Sequence, residues 1–185
     1  MHINDKTIKI QLGDLAFEPF ISAKQIQEKV RELGLQINQD FQGKYPLIIT
    51  ILNGSFIFSS DLVRCIEMDC EIQFMKVSSY EGTSSTGNLK AVFDTLPALE
   101  NRDIILVEDI IDQGHTIDYL YRLMQSKNPK SLKVASLLLK PDQYKYEHPI
   151  DYLGFSIPND FVVGYGLDYN QMGRNLPQIY TLVKD

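Results

Sequence analysis

The chain is predicted to be a single α/β domain with a mainly parallel central sheet. Three observations carry that expectation. Between residues 47 and 139, short and nearly unbroken apolar runs alternate with stretches whose apolar residues recur at helical spacing. The apolar runs lack the polar alternation of a half-solvated strand, which suits strands covered on both faces, as in a parallel sheet with right-handed crossovers. With 185 residues, there is enough chain for one well-buried core and little for a second.

The elements run in order from the start of the chain. Ile8-Lys9-Ile10-Gln11-Leu12 alternates and reads as an edge strand outside the main sheet. Ser22-Ala23-Lys24-Gln25 has the form of a capping box, and Ile26, Val30, Leu33, Ile37 and Phe41 continue at helical spacing until Gly43. Leu47 to Leu52 is the first buried strand; Asn53-Gly54-Ser55 breaks it, and Phe56 to Ile66 forms a helix with Asp61 and Arg64 outward. Glu71 to Val77 is a further strand. The polar run Ser78 to Asn88, with two glycines and no apolar period, reads as a surface loop or a lid.

Ile104-Ile105-Leu106-Val107 is the central strand, and Ile117, Leu120 and Met124 mark a helix that ends near Asn128-Pro129. Leu132 to Leu139 is another buried strand, closed by Lys140-Pro141, and residues 141 to 149, with Tyr144, Tyr146 and His148, read as a connector. Phe155, Phe161 to Gly166 and Ile179 to Val183 are more short strands than a minimal sheet needs, so the C-terminal part is expected to form a small extra layer.

Charge and cysteine content narrow the function. Eighteen basic against twenty-four acidic residues, a net charge of −6, argue against nucleic-acid binding through a basic surface. No apolar run nears the roughly eighteen residues of a membrane span. Cys65 and Cys70 match no C-x-x-C pattern, and the polar start Met1-His2-Ile3-Asn4 lacks a secretory signal, so a reduced, cytoplasmic setting is expected.

The chemistry concentrates in Glu108-Asp109-Ile110-Ile111-Asp112-Gln113-Gly114-His115-Thr116. A Gly turn into a helix start points free backbone N–H groups at one spot, and these groups with the positive end of the helix dipole hold an anion such as phosphate. Carboxylates beside an anion site make sense if they grip sugar hydroxyls, hold a cation or move a proton. Alone, Glu108-Asp109 reads equally well as a solvated strand end; joined to Asp112, Gly114 and Thr116 it reads as functional. Ligands of parallel sheets bind beyond the C-terminal strand ends, where Asn53, the loop after Val77, the 108 to 116 turn and Lys140 would all arrive.

Residues 104 to 116 resemble the phosphoribosyl-pyrophosphate motif of type I phosphoribosyltransferases. From about residue 20 onward the chain is similar to the hypoxanthine-guanine members, most of all at Phe161-Val162-Val163-Gly164-Tyr165-Gly166-Leu167-Asp168-Tyr169-Asn170. The resemblance implies a core of about residues 22 to 140 and a hood from about 1 to 21 and 141 to 185. It implies that Glu108 and Asp109 hold the ribose hydroxyls and bind magnesium directly or through water, and that Asp112 is the general base. Gln113, Gly114, His115 and Thr116 would cradle the 5′-phosphate with Asp112. Asn53 and Gly54 would meet pyrophosphate with Arg174, and the loop carrying Ser79 and Tyr80 would close as a lid. Lys140 would donate to the purine 6-oxo group, Phe161 would stack on the ring, the Val162 carbonyl would face its edge, and Asp168 would line the purine site and assist a second magnesium. Gln113 stands where Thr is usual, and His115 and Asn53 stand where some members carry Lys; the turn at Asn53 is often a cis peptide.

The implied activity is transfer of a phosphoribosyl group to hypoxanthine, and to guanine, with magnesium as cofactor, in a homo-oligomer (dimer or tetramer) that binds neither nucleic acid nor membrane. The alternatives are a phosphoribosyl-pyrophosphate-sensing regulator without turnover, and an enzyme for another base such as xanthine.

Overall fold

Alternating side-chain direction along the strands explains how the two faces of the main sheet are covered. The computed structural model describes residues 9–80, 88–92 and 98–184. In chain order its elements are β1 (Ile10–Leu12), β2 (Leu15–Ile21), α1 (Ala23–Asp40), β3 (Leu47–Leu52), α2 (Phe56–Val63), β4 (Glu71–Tyr80) and β5 (Asn88–Val92). After these come β6 (Asp103–Ile111), α3 (His115–Gln125), β7 (Ser131–Leu139), β8 (Tyr152–Ser156), β9 (Val162–Val163) and β10 (Ile179–Leu182). The main sheet has the order β5-β4-β3-β6-β7-β8, parallel throughout except for antiparallel β5 at one edge.

Successive residues of a strand point to opposite faces. Ile48, Ile105 and Val107 therefore pack with Ile26, Val30, Leu33, Ile37 and Phe41 of the α1 region and with Phe58 and Leu62 of α2. Leu47, Ile49, Ile51, Ile104 and Leu106 pack on the other face with Ile117, Leu120 and Met124 of α3. Ile104 to Val107 are each 0% exposed. At about 1.5–3 kcal/mol per buried aliphatic side chain, this strand is a rigid base for the acidic corner at its C-terminal end. Ser22 caps α1 through the expected box with Gln25.

A second, antiparallel sheet, β1-β2-β10-β9, is built from both ends of the chain and forms the hood, with Phe17, Val163 and Tyr180 at its centre. β1 is its edge strand, as the alternating run 8 to 12 indicates.

Three expectations need correction. Ser78 to Tyr80 and Asn88 are not loop: β4 runs on to Tyr80 and pairs with β5, Ser79 opposite Leu89 and Tyr80 opposite Asn88. The antiparallel ladder satisfies the backbone without apolar side chains, so composition hides it; residues 81 to 87 of the expected loop lie outside the described residues. Helix α2 stops at Val63 rather than Ile66, because Cys65 and Ile66 donate to Leu62 and Val63 in tighter i−3 bonds. Phe155 belongs to β8, which extends the main sheet beside β7, so the hood strands of the C-terminal part begin only at β9.

Candidate active site

Strand β6 delivers the acidic pair and then the anion loop. Glu108 and Asp109 lie near its C-terminal end, and the chain leaves it at Asp112 to enter α3 through Gly114, which sits at φ +85°. That left-handed conformation suits glycine and sets the sharp turn. Gly114 is the N-cap and offers no side-chain cap, so the first-turn N–H groups of α3 face a cavity of about 280 Å³ lined by Glu108 and residues 110 to 117.

Glu108 is buried and Asp109 partly buried. Glu108 is 9% exposed and its Oε2 has no hydrogen-bond partner. Burial, and then the charge of Asp109, push its carboxyl well above the usual range. Asp109 accepts the Ile110 N–H at 3.0 Å. Burial pushes it up to about 6, with the charge of Asp168 adding to the rise and backbone N–H groups and Arg174 opposing it.

Gly54, in the turn after β3, packs against Asp109 so closely that a Cβ there would lie 1.6 Å from Oδ2. The Leu52–Asn53 peptide is cis. From the hood, Gly166 comes down on the same turn: its own missing Cβ would sit 2.0 Å from the Gly54 carbonyl oxygen, and its φ is +103°. Tyr165 beside it donates to Asp61 of α2 at 2.7 Å, which fixes the hood segment on the core. Core strand, turn and hood thus meet at Asp109, Gly54 and Gly166.

Lys140 comes directly after β7, as its position after an apolar run implies. It is 8% exposed, its N–H bonds the Ile111 carbonyl at 2.9 Å, and its Nζ donates to Asp112 Oδ2 at 3.2 Å. Asp112 stays half exposed at the cavity mouth. Arg174 pairs with Asp168 at 2.6 Å and donates to the Gly166 carbonyl at 2.8 Å, while Asp168 also accepts the Gln171 N–H at 2.8 Å. Phe161 is 43% exposed and packs edge-on against Tyr169 and tilted against Phe17. Val162 lies in β9 opposite Thr181.

The structure therefore joins Asp112 to Lys140, Asp109 to Gly54, and Asp168 to Arg174, whereas Val162 lies in the hood strand β9 and Phe161 just before it, packed on hood residues Phe17 and Tyr169. Ser79 and Tyr80 lie in β4, which continues past Lys76, the residue opposite Leu52, and so runs beyond the strand end at Asn53.

Sequence reasoning missed two features. Gly166 has its signal in the closely spaced Gly164 and Gly166, which ask for tight backbone approach. The stretch 141 to 149 is more than a connector: it lies on the anion loop, with the Tyr144 ring against Gly114 and the Tyr146 hydroxyl 2.7 Å from His115 Nδ1. The density of rings in it is the available signal.

Comparison with known proteins agrees with this geometry. The phosphoribosyl transferase domain model matches residues 22–170. The hypoxanthine-guanine phosphoribosyltransferase of Bacillus subtilis is 44% identical over 163 residues, which cover 88% of this chain and 91% of that protein. The bifunctional protein TilS/HprT of Listeria monocytogenes is also 44% identical over 163 residues, but the chain spans only 25% of its length. A crystal structure of a hypoxanthine-guanine phosphoribosyltransferase from Bacillus anthracis superposes with a TM-score of 0.83 at 43% identity, covering 89% of this chain and 98% of that one. With a domain model spanning most of its length, and close relatives whose whole fold it shares, the chain belongs to the phosphoribosyltransferase family, among its hypoxanthine-guanine members.

Proposed function

We propose that the chain transfers the 5-phosphoribosyl group of phosphoribosyl pyrophosphate to hypoxanthine, and also to guanine, releasing pyrophosphate and giving IMP or GMP for purine salvage. The observation that carries this reading is the buried Lys140 ammonium 3.2 Å from the Asp112 carboxylate, at the rim of an anion-binding helix start. An ammonium has three donors, so one can stay on Asp112 while another reads a 6-oxo group. A sensor of phosphoribosyl pyrophosphate needs neither a proton acceptor nor a base-reading donor, so the pair favours the enzyme over the regulator.

Position supports the following roles. The N–H groups of the loop from Gln113 to Thr116 hold the 5′-phosphate. Glu108 and Asp109 accept from the ribose hydroxyls, which gives the unpartnered Glu108 Oε2 a donor. As pyrophosphate leaves the anomeric carbon, the Asn53-Gly54 turn and Arg174 meet its growing charge, and Asp112 takes the proton from the attacking purine. Phe161 stacks on the purine and the Val162 carbonyl faces its edge. Ser79 and Tyr80, on the strand that rises past the site, close over it and keep water from competing as nucleophile.

Magnesium fits this donor set. Among the described residues no three acidic, His or Cys side chains cluster as a metal cage. Magnesium is ordinarily held by one or two carboxylates together with substrate phosphates, which is what Glu108 and Asp109 offer. Asp168, whose oxygens accept from Arg174 and the Gln171 N–H, retains lone pairs for a second ion. Held there by Glu108, Asp109 and Asp168, magnesium would supply positive charge against the leaving pyrophosphate.

A cytoplasmic setting belongs to the same proposal and is supported by the two free cysteines, which suit a reducing compartment; a homo-oligomer is carried over from the family resemblance alone. No described helix is long and apolar enough to cross a membrane. The test is purified protein with phosphoribosyl pyrophosphate, magnesium and a panel of hypoxanthine, guanine, xanthine and adenine, with nucleotide and pyrophosphate measured together. IMP and GMP are expected. Tight binding of phosphoribosyl pyrophosphate with no nucleotide from any base would make the protein a sensor.

A further inference from the structure

The anion loop has little of its own to hold its shape beyond the contact of His115 Nε2 with Gln113 Oε1 at 3.1 Å. Gly114 is left-handed and carries no cap, and Gln113 and His115 lie on the exposed flank. An anion site of converging N–H groups gains affinity when those groups are fixed before the ligand arrives. In this chain most of the fixing comes from outside the loop.

We propose that Tyr144, Lys145 and Tyr146 are positioning residues that form the rear wall of the 5′-phosphate site and hold the anion loop in its binding shape. This rests on the phosphoribosyl reading of the site. Each of the three residues contributes to the wall. The Tyr144 ring lies on the bare Cα of Gly114, where a Cβ would be 2.4 and 2.5 Å from two ring carbons and 3.1 Å from Tyr146. The Tyr146 hydroxyl is 2.7 Å from His115 Nδ1, and His115 Nε2 is 3.1 Å from Gln113 Oε1. The Lys145 ammonium donates to that same Gln113 oxygen at 2.8 Å, and the Lys145 N–H donates to the Gln113 carbonyl at 3.3 Å. One imidazole tautomer completes the series: with the proton on Nε2, Tyr146 donates to Nδ1 and Nε2 donates to Gln113.

The wall is itself anchored at both ends. Gln143 and Tyr144 donate to the Lys140 carbonyl at 3.0 and 3.2 Å. Tyr144 also donates to the His148 carbonyl at 3.0 Å. His148 in turn bonds Asp118 of α3 at 2.7 Å and stacks on Tyr121 with centroids 4.3 Å apart. One short segment thus runs from the base-reading Lys140 to the helix that the anion loop begins, and fixes the phosphate position relative to the purine position.

The experiment compares Tyr146→Phe, which removes one hydroxyl and keeps the ring, with Tyr144→Ala, which uncovers Gly114. Binding of ribose 5-phosphate is measured by calorimetry and needs no turnover, so it answers whether or not any nucleotide is made. KM for phosphoribosyl pyrophosphate and for hypoxanthine is measured separately. Tyr146→Phe is expected to weaken ribose 5-phosphate and raise the phosphoribosyl-pyrophosphate KM by about 3–10-fold, the worth of one hydrogen bond. Tyr144→Ala should do more, and KM for hypoxanthine should stay within about twofold. In the Tyr146→Phe background, His115→Ala should add little, because the two act through one contact. Unchanged ribose 5-phosphate affinity in Tyr146→Phe overturns the proposal, as does an equal rise in both KM values; if Tyr144→Ala fails to fold, Tyr146→Phe and Lys145→Met decide by the same readings.

Discussion

Replacing Gly54 by Ala tests whether the turn after β3 sets the place of Asp109. The new Cβ would sit 1.6 Å from Asp109 Oδ2 and 2.6 Å from Cγ. To reach an ordinary contact of 3.4 Å the oxygen must retreat by 3.4 − 1.6, or roughly 1.8 Å. The turn cannot yield instead, because Gly166 already lies against the Gly54 carbonyl on its other side. Retreat pulls Oδ1 off the Ile110 N–H, now 3.0 Å away. A misplacement of about 1 Å at a reacting centre costs on the order of 10²-fold, so kcat/KM for phosphoribosyl pyrophosphate should fall at least that far. The fold should survive, since the clash is with the tip of one side chain, at a cost of about 1–3 kcal/mol. Steady-state kinetics and thermal melting of parent, Gly54→Ala, Asp109→Ala and the double variant are the assay. The double variant should be no worse than Asp109→Ala alone. A Gly54→Ala enzyme that melts normally and keeps kcat/KM within about threefold of the parent would refute the reasoning.

Four other outcomes are expected. Asp112→Asn should lower turnover by roughly 10²–10⁴ while phosphoribosyl-pyrophosphate binding, measured by calorimetry, changes little; equal turnover removes Asp112 from proton transfer. Chelator should abolish activity and magnesium restore it, whereas full activity in excess chelator sinks the metal role of Glu108 and Asp109. Adenine should be rejected by up to about 10⁴ relative to hypoxanthine, because Lys140 offers only donors to a 6-amino group, and Lys140→Ala should erase most of that selectivity; an adenine rate near that of hypoxanthine counts against the assignment. In chelator, Asp109→Asn should raise the melting temperature at pH 7 and lose that advantage toward pH 4. Asp109 binds its proton up to about pH 6 when folded against an ordinary value of 3.8, so the folded state holds the extra proton between those values and stability falls as pH rises through them. A melting difference that does not change over that range would contradict the burial of this carboxylate.

The centre of the fold was legible because buried parallel strands write themselves as continuous apolar runs. Leu47 to Leu52 and Ile104 to Val107 need no tertiary knowledge to be placed, and the anion loop is readable from Gly114 before a helical period. Lys140 was legible through topology, since parallel strands end on one side. What escaped depends on backbone pairing and packing between distant segments. Ser78 to Tyr80 pair with β5 through main-chain bonds that any side chain permits. β8 joins the main sheet where Gly154 lets the backbone close on β7, a missing Cβ lying 2.4 Å from the Leu137 carbonyl oxygen. The contacts of Gly54 and Gly166, or of Tyr144 and Gly114, unite residues far apart in sequence and chosen for the absence of a side chain. No local pattern carries that.

On the proposed reading of the site, the acidic pair holds energy in reserve for its ligands. Glu108 and Asp109 are adjacent, Glu108 buried and Asp109 partly so; burial raises both carboxyls, and the charge of Asp109 adds to the rise at Glu108 as that of Asp168 does at Asp109. Glu108 Oε2 is buried without a partner, although Glu108 directly follows the fully packed run Ile104 to Val107 of β6. An unpaired buried carboxyl oxygen costs on the order of 1–3 kcal/mol, and a fold selected for stability alone would replace it by an apolar or smaller residue. Its retention makes sense when the missing donor comes from outside, from sugar hydroxyls or a cation. Filling the site then removes a standing penalty as well as forming new contacts, and the rigid β6 strand keeps the two carboxylates from relaxing away from that encounter.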